Sequence, residues 1–91
     1  MLVPIIEQME VSDIHALIGM SVILFVKMRL AGVDVVVSGS YDIATNNFSP
    51  TAIQQDASDA GTSIKDFCES MEWDTVGTRR EIQLAVNNRD Y

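Results

Sequence analysis

Cysteine and histidine are almost absent: Cys68 and His15 are the single copies in 91 residues. One cysteine leaves no intramolecular disulfide, which excludes the disulfide-stapled secreted class. One of each argues against a zinc site within one chain, and no metal site is expected. Proline (two) and glycine (five) are also scarce, while 47% of residues are hydrophobic and 21% charged. That balance excludes a collagen-like, low-complexity or intrinsically disordered chain. Basic residues number six against thirteen acids, a net charge of −7. Nonspecific binding to nucleic acid or to an anionic membrane needs a basic surface, so neither partner is expected.

Long apolar runs are missing too. The longest uncharged stretch, residues 14–26, contains His15, Gly19 and Ser21. As a helix it would span about 20 Å, short of the roughly 30 Å hydrocarbon core. The first residues, Met1 to Glu7, carry no basic segment and no small-residue cleavage site. They do not read as a secretory signal, and a reduced, cytoplasmic setting is the expectation.

What is present is a single domain's worth of sequence, residues 1–91, without internal repeat or linker. It is apolar for its size, so its core is dense or some apolar surface lies between subunits. Residues 2–6 are apolar but include Pro4, which reads as an edge strand or an extended arm within residues 1–10. Ser12 caps a short helix over 13–18, ended by Gly19.

Residues 21–31 fit two periodicities. A long apolar helix from 13 to 31, capped by Gly32, would make the protein mainly α. A strand is favoured by a pairing test. With a two-residue turn at Ala31-Gly32, Leu30 faces Val33, Arg29 faces Asp34, Met28 faces Val35, Lys27 faces Val36 and Val26 faces Val37. One face then collects apolar side chains, and opposite charges meet on the other. Ser38-Gly39-Ser40 reads as a turn or bulge, and 41–46 as a third strand. Ser49-Pro50 reads as a helix start, giving a helix over 50–60. Ser63 caps a second helix over 63–72, with Ile64, Phe67, Cys68 and Met71 on one stripe. Thr78 to Glu81 matches a capping box and opens a helix over 79–87, although Ile82, Leu84 and Val86 also alternate as a strand would. The expected fold is α+β: a short antiparallel meander over 21–46, packed by three or four short helices.

The chemistry is sparse. No Gly-x-Ser-x-Gly elbow and no motif around Cys68 is present, so Cys68 reads as an inert core residue and His15 as an ordinary helix residue. No cofactor is expected, and an enzyme ranks last among the functional readings.

The acids are uneven. Between Asn47 and Val76 stand Asp56, Asp59, Asp66, Glu69, Glu72 and Asp74 against one base, Lys65. Asp66, Glu69 and Glu72 recur every third residue, opposite the apolar stripe. The plain reading is a solvated helix face. The functional reading is a docking face, formed by Asp56, Asp59, Asp66, Glu69, Glu72 and Trp73, for a protein partner with a basic surface. The first functional expectation is therefore a non-enzymatic acidic interaction protein, an inhibitor or regulator of a macromolecule. The second is a homo-oligomer holding a small anionic ligand at subunit interfaces. Arg79 and Arg80, the one adjacent basic pair, are its anion-binding candidates, with Ser40 and Tyr41 as further contacts. Against these stand a salt bridge from Arg79-Arg80 to the acidic helices, a simple turn at Ser38-Gly39-Ser40-Tyr41, and Trp73 as a core plug.

Overall fold

The structure, a computed structural model, describes residues 4–11, 21–55 and 61–88. Five strands form one antiparallel sheet in sequence order: β1 (Ile5–Val11), β2 (Ser21–Leu30), β3 (Val33–Asp42), β4 (Asn47–Gln54) and β5 (Thr62–Ser63). Two helices follow, α1 (Ile64–Met71) and α2 (Thr75–Asn87). The α+β class stands, with two helices among the described residues rather than three or four. A long helix over 13–31 is overturned, because 21–30 form β2; the short helix expected over 13–18 lies outside the described residues.

The β2–β3 hairpin carries the fold. All five pairs that the pairing test requires are present, from Leu30↔Val33 to Val26↔Val37. Ala31 (φ 53°) and Gly32 (φ 82°) turn the chain with both residues at positive φ, as a type I′ hairpin demands. On the open face, Arg29 Nε donates to Asp34 Oδ1 at 2.9 Å, and Glu7 of β1 stands 3.7 Å from the same guanidinium. The Asp34 hydrogen bond and charge, then the Glu7 charge, hold Arg29 above the ordinary arginine range.

Alternation along the strands separates two faces. Val22, Leu24, Val26, Met28 and Leu30 of β2, with Val35 and Val37 of β3, are buried under the helices. Phe48 and Ile53 of β4, Ile64, Phe67 and Cys68 of α1, and Ile82 and Val86 of α2 complete the core. Both helices pack against β4, and α2 also meets β1.

Three expectations fail over residues 38–55. Ser38-Gly39-Ser40 is not a turn but continues β3 in unbroken register with β2. Tyr41 and Asp42 end β3, and residues 43–46 are a turn rather than a third strand. The Asp42 carboxylate accepts from the amides of Ala44 (2.9 Å) and Thr45 (3.4 Å), an Asx turn that stops the ladder. Asn46, at φ 62°, closes the turn back to the Asp42 carbonyl and accepts from the Tyr41 hydroxyl.

Residues 47–54 are a strand, not the start of a helix over 50–60; residues 56–60 of that expectation lie outside the described residues. The reason is a bulge. Ser38 pairs with Ala52 but Gly39 with Pro50, so Thr51 is the extra residue; its hydroxyl donates to the Ser38 carbonyl at 3.2 Å. The buried positions then fall at 48, 50 and 53, a spacing that masks a period of two. Pro50 is tolerated because β5 pairs only with Ala52 and Ile53, leaving the Pro50 end of β4 as an edge among the described residues. The neighbouring Phe48 amide donates to Asn87 Oδ1 at 2.9 Å, tying the end of α2 to that edge.

α2 starts four residues before the expected 79. Asp74 caps it, accepting from Val76 N (3.3 Å) and Gly77 N (2.9 Å), so Thr78 is an interior residue rather than a capping one.

Candidate functional site

α1 is formed as its sequence specifies. Ser63 Oγ accepts from the Asp66 amide at 3.1 Å, and Ile64, Phe67 and Cys68 are buried. The helix ends in a Schellman motif: Trp73 N donates to the Cys68 carbonyl (2.8 Å) and Glu72 N to that of Glu69 (3.2 Å), with Glu72 left-handed at φ 60°. The hydrophobic contact that accompanies this motif is present as well. The Trp73 ring lies against Phe67, centroids 5.9 Å apart at 59°.

Asp66, Glu69 and Glu72 are exposed, with no cation within ion-pair distance among the described residues, where ion pairing is confined to Arg29. Asp66 sits at the favourable end of the helix dipole. Glu69 and Glu72 sit at its negative end, and no basic residue lies in that last turn. Carboxylates there are destabilising. Trp73 is half-buried and leans on the core, so it borders the acidic face while serving the packing. Asp56 and Asp59 lie outside the described residues.

A groove of about 360 Å³ opens between α1 and the β4–β5 edge, lined by Ile53, Gln54, Thr62, Asp66, Phe67 and Ser70 among others. Asp66 is therefore both part of the acidic face and one wall of a cleft.

The anion-binding candidates are not gathered in one place. Ser40 and Tyr41 are consecutive in β3, so their side chains leave opposite faces of the sheet. Tyr41 packs beside the core and bonds Asn46. Arg79 and Arg80 lie on the exposed side of α2, away from its N-terminus, which Asp74 already caps. The salt bridge to the acidic helices is not formed among the described residues. Instead Arg79 and Arg80 line a second groove with Lys65 of α1. Lys65, the lone base among the acids of this region, stands one residue off the apolar stripe of α1.

Cys68 is fully buried, while His15 lies outside the described residues. Among the described residues, no group of three or more His, Cys, Asp and Glu side chains is placed to hold a metal ion. No helix among them is long and apolar enough to cross a membrane. No protein family, curated protein or solved structure matches this chain.

Proposed function

We propose that this protein is a small acidic interaction protein that binds and modulates a macromolecular partner through the outer face of α1. The observation that carries the reading is the pair Glu69 and Glu72. Both are exposed at the negative end of the α1 dipole, without a cation in the last turn, and Glu72 holds a left-handed backbone that suits glycine better. Each feature costs stability. A role outside the helix would account for residues that work against it. The partner has a basic surface, because unpaired carboxylates attract and orient cations. The test is binding of that partner, isolated by affinity capture and then purified, to wild type and to the variant Asp66→Lys, Glu69→Lys, Glu72→Lys. Binding should weaken steeply with salt and be lost in the variant. Binding that survives both changes refutes the reading.

A second reading, a homo-oligomer holding a small anionic ligand, draws on Arg79 and Arg80 being exposed and without carboxylate partners among the described residues. Native mass spectrometry tests it by subunit count and retained mass. A strict 10.0 kDa monomer eliminates the oligomer.

A further inference from the structure

The chain carries thirteen acids and six bases, yet three of those bases border one groove. The groove lies where α1 and α2 meet, has a volume of about 400 Å³, and is lined by Lys65, Thr75, Val76, Arg79, Arg80 and Gln83. That volume is within the range of roughly 300–1,000 Å³ common to small-molecule sites. Among the described residues, no carboxylate is in the lining. None of the three cations is in ion-pair contact among the described residues, and all three are exposed.

We infer that this groove is an oxyanion-binding site for a small, multiply charged phosphate-bearing ligand. The donor set selects the chemistry. An ammonium brings three N–H donors, each guanidinium five, the Gln83 amide two and the Thr75 hydroxyl one, while strong acceptors are few. A guanidinium fork suits the tetrahedral oxygens of phosphate, and Lys65 adds a point charge from α1. Gathering three like charges is unfavourable on its own and becomes favourable when two or more negative charges arrive between them. Val76, 76% exposed, offers an apolar shelf at the rim for the non-phosphate part of such a ligand.

The site is complete within one chain and does not use Asp66, Glu69 or Glu72. It rests on the second reading above only for the ligand's charge. A strictly monomeric protein would end the oligomer and leave the groove standing.

The test is a two-dimensional amide NMR titration of the full chain with inorganic pyrophosphate, at ionic strength held constant with sodium chloride. Saturable shifts are expected at Lys65, Thr75, Arg79, Arg80 and Gln83. The variant Arg79→Gln, Arg80→Gln should raise the apparent Kd by about tenfold or more, the loss of two charge-assisted contacts. Lys65→Gln should raise it about threefold. Lys27→Gln, on the open sheet face, should leave it unchanged. These side chains are exposed, so an unchanged circular dichroism spectrum separates lost binding from lost fold. The proposal is overturned by shifts that do not saturate at millimolar pyrophosphate. It is equally overturned by shifts that follow Lys27 as much as Arg79, or by full affinity in the double variant.

Discussion

Gly39 lies beneath the ring of Phe48. A Cβ built at Gly39 would stand 2.8 Å from two Phe48 ring carbons and 2.4 Å from the Ser49 carbonyl oxygen. The ring fills the space that a side chain in β3 would take, and it does so from the neighbouring strand. This contact explains why a Ser-Gly-Ser segment sits inside a ten-residue strand. The serines face the open side, and the glycine makes room in the core layer.

Gly39→Ala is therefore expected to cost about 2–3 kcal/mol, because the obstacle includes backbone that cannot rotate away. Gly61→Ala provides the contrast: its added Cβ meets nothing nearer than 3.7 Å among the described residues, and the change should stay within about 0.5 kcal/mol. Urea denaturation of the two variants, side by side, measures both.

The hairpin turn is improvable. Ala31 holds φ 53°, a conformation that costs a non-glycine residue roughly 1–2 kcal/mol. Ala31→Asn would create the preferred Asn-Gly dipeptide and is expected to stabilise the protein by about 0.5–1 kcal/mol. A raised thermal midpoint checks this, and a lowered one would mean that the turn is not of this type.

Thr78 is fully buried, and its hydroxyl has no hydrogen-bond partner among the described residues. Thr78→Val keeps the shape and removes the unsatisfied group, so a gain of about 1 kcal/mol is expected. A loss of stability in denaturation would show that the hydroxyl does find a partner in solution.

Glu72→Gly separates stability from function. Glycine suits the left-handed position, and removing the carboxylate relieves the helix dipole, so about 1 kcal/mol of stabilisation is expected. If Glu72 serves the partner, the same variant binds more weakly. Thermal unfolding and partner affinity moving in opposite directions is the predicted signature.

Much of this fold is legible in the sequence where a local pattern and a long-range pairing agree. The β2–β3 register follows from the Arg29–Asp34 match and the valine alternation, and α1 from Ser63 and its apolar stripe. Legibility fails at β4, where one extra residue, Thr51, breaks the period of two and Ser49-Pro50 imitates a helix start. At α2 the capping box at Thr78 imitates a start, although the Asp74 carboxylate caps the helix a turn earlier. The acidic residues of α1 are visible from spacing alone. The groove is not, because Lys65 and Arg79 come together only through the packing of α1 on α2.

The central claim is that the carboxylates of α1 engage a basic partner. Its most direct test is affinity capture with immobilised wild type beside the Asp66→Lys, Glu69→Lys, Glu72→Lys variant, followed by binding measurements on the purified partner. The account predicts a partner that wild type retains at low salt and releases as salt rises, and that the variant fails to bind while keeping its fold by circular dichroism. A partner held equally by both proteins, at every salt concentration, would contradict it.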